Sequence, residues 1–323
     1  MNNVIQFEQE QTYSENGPAK LNVNSPVFGW ERYLHATAIF VMPILAVPAA
    51  IALAIRDGLG WMELGTFFVM YCIAWVGITV GYHRFFSHCS FVAPNSVRMM
   101  LGIFGSVAAQ GPLNYWVANH RRHHKYADRD GDIHSPYIHN GQQMGRIHGF
   151  LQSHVFWTFN HVVSNPAVMC REILRDPLLQ FVNRHYYVWL IAGFLAPTVV
   201  GGLVTMTWLG AFKGLLWGGF VRLFATYHCI NAITSLAHMW GYQEYDSRDQ
   251  SRNNGFMAVL TWGESWHNNH HSFPSSAFFG LKWWQVDFGA YVIRALRMLG
   301  VATELRRPHE KLLEKKRIAG QAA

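Results

Sequence analysis

Residues 61–88 read WMELGTFFVMYCIAWVGITVGYHRFFSH, and this stretch decides the fold. Residues 61–82 form an apolar run long enough to cross the hydrocarbon core of a bilayer, which needs about 20 residues. The stretch ends in two histidines, His83 and His88, five positions apart. The pattern predicts a membrane span that carries histidine side chains at one end.

Three further apolar runs have a spanning length: residues 33–55, 186–208 and 211–237. Short turns at 56–58 and 209–210 join the four runs into two helical hairpins. A shorter apolar run at 99–109 contains two glycines and predicts a helix that is half embedded or interfacial. We therefore predict an all-α integral membrane protein with four transmembrane helices in two hairpins.

The distribution of Lys and Arg predicts which side of the membrane each end of these spans faces. Most of the 26 Lys and Arg residues lie in residues 83–185 or after residue 239, and positive charge marks the cytosolic side. Both termini and a helical cytosolic cap, built from residues 83–185 and 239–282, are expected on that side. Within the fourth run, Lys213 is expected at the near interface, by snorkelling or simple anchoring, and Arg222 inside the bundle.

The predicted domains are a polar cytosolic arm (1–32), a main domain (33–282) and a basic cytosolic helical tail (283–323). The polar first 30 residues predict no cleaved signal peptide. A net charge of +7 without a separate basic domain favours a membrane surface and excludes nucleic acid as the partner. The four cysteines form no CxxC pair, which argues against a disulfide framework or a cysteine metal site.

Histidines form three clusters: His83 with His88; His120, His123 and His124; His267, His270 and His271. In HxxHH, positions i, i+3 and i+4 lie on one helix face, which can chelate one metal or bridge two. Residues five apart diverge on an α-helix, so the chain is expected to leave helical geometry after the second span. That would let both histidines of the first cluster turn toward one site.

Eight clustered histidines predict metal binding, and their number implies a pair of ions. Imidazole ligands suit iron, zinc, copper or nickel, so the ligand type does not name the metal. A membrane metal carrier or sensor is a remote alternative, because a carrier places its ligands near the bilayer midplane rather than at helix ends. Ordinary core or surface roles are expected for six other histidines: His35, His139, His148, His161, His185 and His309.

Three stretches resemble those of a known family: GITVGYHRFFSH at 77–88, the segment 128–136, which ends in HSP, and WGESWHNNHHSFP at 262–274. Over residues 33–282 the chain resembles the membrane fatty acyl desaturases of the stearoyl-CoA type. The resemblance implies two irons, dioxygen, and a long-chain acyl substrate that gains a cis double bond, with coenzyme A as the favoured carrier and delta-9 as the favoured position. Acyl carrier protein and intact lipid stay open as carriers, as do the chain length and the bond position.

The resemblance also implies a ninth histidine ligand, His238. The family has an asparagine four residues earlier that reaches one iron through water, and this chain has Thr234 there. A threonine hydroxyl can also hold water, and Asn231 lies on nearly the same helix face as His238. These two residues are the candidates for the water-mediated contact, and the departure weakens transfer of the family's usual reaction outcome.

Carboxylates are expected to orient the histidine rings. Six are candidates: Asp128, Asp132, Glu244, Asp246, Glu264 and Asp287. We favour Asp128, Asp132 and Glu264. By resemblance, Gln110 and Trp116 line the bend of the acyl tunnel, although a tryptophan here could equally be an interfacial anchor.

The chain has neither the cysteine spacing of a ferredoxin nor a haem domain, so electrons are expected from a separate partner, either a ferredoxin or cytochrome b5 with its reductase. The basic cytosolic surface would suit such a donor or anionic lipid. Three sibling outcomes stay open: hydroxylation, acetylenic bond formation and terminal alkene formation. A bacterial inner membrane is favoured over the endoplasmic reticulum.

Overall fold

The computed structural model describes residues 21–23 and 26–318. Most of the predicted N-terminal arm lies outside the described residues. The described chain is mostly helical, as predicted; its one small sheet is an antiparallel pair, β1 (Ile138–His139) and β2 (Gln142–Gln143).

The first predicted hairpin consists of α1 (Pro26–Asp57) and α2 (Trp61–Trp75), and a π-helical segment, Val76–Ser87, continues α2 without a break. Gly58 has a φ of +82°, which glycine adopts at little cost, and it allows the chain to reverse between the helices. Within the described residues, three helices are long and apolar enough to cross a membrane: Trp30–Asp57, Trp61–Ser87 and Tyr186–Thr205.

The second predicted hairpin consists of α10 (Tyr186–Thr205) and a continuous helical stretch from Trp208 to Thr234. That stretch has three parts: α11 (Trp208–Gly214), a π-helical segment Leu215–Val221, and α12 (Arg222–Thr234). It does not reach the apolar composition of the other three helices. A topology of four spans therefore stays a prediction.

The two basic residues of this stretch have different surroundings. Lys213 Nζ lies 3.0 Å from a carboxylate oxygen of Asp57, at the turn of the first hairpin. Arg222 is completely buried, and its guanidinium donates to the carbonyl oxygen of Val107 at 2.9 Å. Arg222 thus faces the bundle interior, as predicted, and Lys213 ties the two hairpins together at one end.

The expected loss of helical geometry at His83 is wrong. The chain stays helical to Ser87, but with the wider hydrogen-bonding pattern of a π-helix, and the His88 amide donates to the His83 carbonyl at 3.2 Å. Because residues five apart are hydrogen-bonded neighbours in a π-helix, His83 and His88 come onto the same side. The imidazole rings lie 5.1 Å apart between centroids.

Thirteen short and medium helices build the cap around these hairpins. Residues 95–184 contain α3 (Asn95–Val107), α4 (Leu113–Tyr126), α5 (Arg146–Leu151), a π-helical segment Gln152–Phe156, α6 (Trp157–Asn160), α7 (Pro166–Met169), α8 (Arg171–Arg175) and α9 (Pro177–Arg184). The later part contains α13 (Leu236–Met239), α14 (Gly255–Leu260), α15 (His267–Ser272), α16 (Phe288–Met298) and α17 (Glu310–Lys316).

The C-terminal residues do not behave as a separate tail. Ala290, Ile293 and Ala302 are buried in the same apolar cluster as Trp75 and Ile78 of the second span. A backbone bridge between Val92 and Thr303 fixes the segment that follows α16. Residues 283–318 therefore form part of the cap that surrounds the histidine clusters.

Candidate metal centre

Five histidines from three helical elements form the first group, which we call the five-histidine group: His83, His88, His120, His124 and His270. One ring nitrogen from each lies within 4.8 Å of all the others. Nε2 of His83 lies 2.8 Å from Nε2 of His270, which is itself 2.9 Å from Nε2 of His124. So many imidazole nitrogens converging on one point is the arrangement of ligands around a cation.

The second group, the four-histidine group, contains His123, His238, His267 and His271, all buried. Nε2 of His238 and Nε2 of His267 are 3.0 Å apart. Nε2 of His123 and Nε2 of His271 are buried and have no hydrogen-bond partner among the described residues. Unpartnered buried nitrogens cost about 1–3 kcal/mol each, and a metal ion would remove that cost.

Each HxxHH motif contributes to both groups. On α4, His120 and His124 point into the five-histidine group and His123 into the four-histidine group. On α15 the assignment is reversed, since His270 alone joins the five-histidine group. The i and i+4 positions thus share one site and i+3 faces the other. The structure brings all nine predicted histidines together, and the motif bridges two sites rather than chelating one ion.

Carboxylates bind the outer ring nitrogen, Nδ1, of four of these histidines. Three of them are residues favoured from the sequence: Glu264 contacts His83, Asp132 contacts His123 at 3.0 Å, and Asp128 contacts His238 at 2.9 Å. A carboxylate accepts the Nδ1 proton and so leaves the Nε2 lone pair free for a metal. These pairs fix the tautomer that a metal ligand needs.

The fourth carboxylate, Asp249, was missed by the sequence analysis. Its Oδ2 lies 2.7 Å from Nδ1 of His271. Its Oδ1 accepts hydrogen bonds from the Ser251 amide at 2.9 Å and the Ser247 hydroxyl at 2.8 Å, which hold the carboxylate in position. No spacing in the loop marks this residue, because its partner lies 22 residues further along the chain.

The other three candidate carboxylates do not face the histidine groups. Asp287 is buried against Arg84, whose Nη2 lies 2.8 Å from its Oδ1. Glu244 pairs with Lys282 at 3.1 Å, and Asp246 is exposed. None of the three contacts a histidine of either group among the described residues.

Burial keeps most of the rings neutral, the form in which imidazole binds metal. It lowers the pKa of His271 to about 4, although Asp249 opposes the shift. His238 differs: burial acts to lower its pKa, but Asp128 and neighbouring carboxylates outweigh burial and raise it to about 9.

A cavity of about 580 Å³ leads to the histidines. Its lining includes residues at the start of α1 and around the junction of α9 and α10, of which Glu31 and Arg184 are exposed. His120 of the five-histidine group also lines it. The cavity wall is mainly apolar, so it could hold a hydrocarbon chain against the histidine centre.

Both predicted tunnel residues, Gln110 and Trp116, line this cavity. The Trp116 ring stacks on the His120 ring with 4.9 Å between centroids and an interplanar angle of 16°. Nε2 of Gln110 is buried without a hydrogen-bond partner among the described residues. Trp116 thus lies between the five-histidine group and the cavity.

The sequence model of the fatty acid desaturase family matches residues 25–301. The chain belongs to the fatty acid desaturase family. It is 42% identical to the hex-5-enoyl-[acyl-carrier protein] acetylenase of Moorena producens (strain JHB), over 86% of this chain and 88% of that protein. It is 35% identical to the sn-1 stearoyl-lipid 9-desaturase of Anabaena variabilis, over 81% of this chain and 89% of that protein.

The relatives differ in the acyl carrier that their names give, and a third relative adds coenzyme A to acyl carrier protein and lipid. An acyl-CoA 5-desaturase of Anemone leveillei is 32% identical over 95% of this chain and 91% of that protein. Members of the family are oxidoreductases that act on acyl chains, and this desaturase-family chain is one of them. The apolar cavity beside the histidine groups agrees with that class of substrate.

The two residues expected to make a water-mediated metal contact have other partners in this desaturase-family chain. The Thr234 hydroxyl donates to the Ser153 carbonyl, at 2.7 Å. Oδ1 of Asn231 accepts from the indole nitrogen of Trp157 at 3.3 Å. Nδ2 of Asn231 is buried without a hydrogen-bond partner among the described residues.

Proposed function

We propose that this protein is a di-iron desaturase that uses dioxygen and two electrons from a separate donor to introduce a cis double bond into a long-chain acyl group. The observation that carries the proposal is the pairing of a five-histidine and a four-histidine group beside an apolar cavity. Iron accepts imidazole ligands, and nine of them are too many for one ion.

The iron pair, when bound, supplies the oxidising power to remove hydrogen from an unactivated methylene, which no side chain has. The protein positions the ligand rings and the acyl chain, and it excludes water from the centre. Glu264, Asp132, Asp128 and Asp249 hold the ligand rings in one tautomer. The cavity wall, including Trp116, would hold the acyl chain so that one pair of methylenes faces the centre.

Coenzyme A is the acyl carrier that we propose, and delta-9 is the position. One relative is named as an acyl-CoA desaturase and another as a 9-desaturase, which supports each part. Arg184, which is exposed and lines the cavity, places positive charge where a phosphate-bearing carrier could bind.

We further propose a four-span protein of a bacterial inner membrane, with both termini and the cap in the cytosol. Three helices with spanning composition and the Lys and Arg content of the cap support this topology. A cytosolic cap would be accessible to a ferredoxin or to cytochrome b5 with its reductase.

Acetylenic bond formation is the second candidate. The similarity to an acetylenase at 42% identity favours it. The two reactions need the same centre and differ in the substrate bond that is oxidised, a single bond or an existing double bond.

The test combines metal content with lipid products. Wild type, His270→Ala and His148→Ala are expressed in the same host; His148 is exposed on α5 and serves as the matched control. We expect two irons per chain, one for each histidine group, and new unsaturated acids from wild type and His148→Ala but not from His270→Ala. Mass spectrometry of the fatty acids gives the bond position.

Two results would change the proposal. Triple bonds in place of double bonds would favour the acetylenase. Wild-type protein that binds no iron, or new unsaturated acids that persist in His270→Ala, would refute a di-iron oxidation at this centre.

A further inference from the structure

A surface loop, residues 246–252, reaches the four-histidine group through one carboxylate. Oδ2 of Asp249 in this loop lies 2.7 Å from Nδ1 of His271. Arg248 and Gln250, on either side of Asp249, are exposed. A single side chain therefore joins the ring of His271 to a segment that faces solvent.

The same loop reaches a second ring of the group. The backbone amide of Gln250 donates to Oδ2 of Asp128 at 2.8 Å, and that oxygen lies 2.9 Å from Nδ1 of His238. Two of the four rings are thus connected to one loop, each through one carboxylate. Because electron transfer weakens steeply with distance, an electron that arrives at this loop has a short route to the four-histidine group.

Cations surround the loop. Nη2 of Arg129 donates to the carbonyl oxygen of Arg248 at 3.1 Å, and both side chains are exposed. The Asp246 amide donates to the carbonyl oxygen of Lys316 at 2.8 Å, which brings the end of α17 alongside the loop. Arg317, the next residue, is exposed as well. We call these four cations the basic patch: Arg129, Arg248, Lys316 and Arg317.

The acids around the basic patch do not cancel its charge. Asp130 and Asp246 are exposed beside it, whereas the carboxylates of Asp128 and Asp249 are turned inward to histidine rings. Four cations against two exposed acids leave an excess of positive charge. Such an excess attracts an acidic partner and speeds its association.

The composition of this surface favours a protein partner over a lipid surface. None of the exposed large apolar side chains of the described chain lies in residues 243–255 or 300–318. A segment that anchors in a membrane buries apolar side chains in it. Complexes between electron-transfer proteins are small and transient, with less than about 1,200 Å² buried, so they can form on a charged surface of this kind.

We propose that the loop 246–252 and the basic patch form the docking site of a small acidic protein that carries one electron. This inference rests on the proposed di-iron function and locates the site of its electron donor. Two docking events supply the two electrons. In each event the carrier is oxidised by one electron, and together the two events reduce two ferric ions to two ferrous ions.

The first test measures binding, with two acidic probes: a plant-type ferredoxin and the soluble domain of cytochrome b5. Wild type is compared with a double variant of the basic patch, Arg129→Glu with Arg248→Glu, and with Asp130→Lys. The matched control is Arg171→Glu with Arg175→Glu, which changes the charge by the same amount. Both control residues are exposed on α8, which packs against α7 and α9.

We expect at least one probe to bind wild type, and the association rate of that probe with the basic-patch double variant to fall at least about 10-fold at low salt. Steering by opposite charge raises association rates by about 10–10³-fold, which sets this scale. The difference should shrink in about 1 M salt, where the Debye length is about 3 Å. Asp130→Lys should bind faster than wild type, and the α8 control should match wild type.

The second test follows reduction of the iron-loaded protein without oxygen, by stopped-flow absorbance. The reductant is either the reduced probe or a photoreduced flavin, a small molecule that needs no docking site. We expect the basic-patch double variant to be reduced slowly by the probe and at the wild-type rate by the flavin. Slow reduction by the flavin as well would place the defect at the centre and overturn the docking role.

The outcomes separate this inference from the proposed function. Wild type that binds no iron overturns both, because no acceptor for the electrons would be present. Wild type with two irons overturns the docking site alone if it binds neither probe, or if the basic-patch double variant binds them as fast as wild type. An equal loss of binding in the α8 control would also overturn it, because net charge rather than this patch would then attract the probe.

Discussion

The substitution Asp249→Asn is expected to weaken iron binding at the four-histidine group. Asp249 Oδ1 accepts from the Ser251 amide and the Ser247 hydroxyl, and Oδ2 faces His271 Nδ1 at 2.7 Å. In asparagine one oxygen becomes an NH₂ group. Because the two serine donors require an oxygen on their side, the NH₂ group would face His271.

Two donors cannot share that contact. His271 would have to give up its proton on Nδ1 and carry it on Nε2, which is buried and unpartnered among the described residues. A protonated Nε2 cannot bind a metal. Loss of such an orienting partner typically lowers metal affinity 10–100-fold, which corresponds to about 1.4–2.7 kcal/mol.

The assay is iron release to a chelator, followed on purified Asp249→Asn and on Asp246→Asn as the matched control. Asp246 lies in the same loop, is exposed and contacts no histidine of either group among the described residues. We expect one iron to leave Asp249→Asn readily and both to remain in Asp246→Asn. Equal release from the two variants would refute the tautomer argument.

Three further substitutions test the packing and the cavity. Gly77→Ala should lower the free energy of unfolding by about 1–3 kcal/mol, and with it the thermal midpoint, because the new Cβ would lie 2.1 Å from the backbone of α3. Gly65→Ala, which has open space around it, should leave the midpoint unchanged. Equal midpoints for the two variants would contradict this prediction. Arg84→Leu should lower the free energy of unfolding by about 3–5 kcal/mol, because it leaves the Asp287 carboxylate buried without its cation. A variant with the thermal midpoint of the wild type would show that the ion pair is dispensable for stability. Trp116→Ala should reduce or redirect product formation at unchanged iron content, because Trp116 lines the cavity and binds no ion; loss of iron would make its role structural.

The sequence predicted the long helices and the shared helix faces, because both depend on residues that are close together along the chain. Apolar runs of spanning length predicted the long helices, and the three that the structure identifies begin or end within a few residues of them. HxxHH predicted a shared helix face because the helical period places i, i+3 and i+4 together. The eight clustered histidines and His238, which the resemblance added, are the nine members of the five-histidine and four-histidine groups.

Only the tertiary structure decided how these residues are divided and supported. Asp128 and His238 are 110 residues apart, and Asp249 and His271 are 22 apart, so no helical period relates them. The division into five and four histidines arises where the histidines of α4 and α15 meet. Local periodicity determines which side chains share a face, whereas packing of distant segments determines what each face meets.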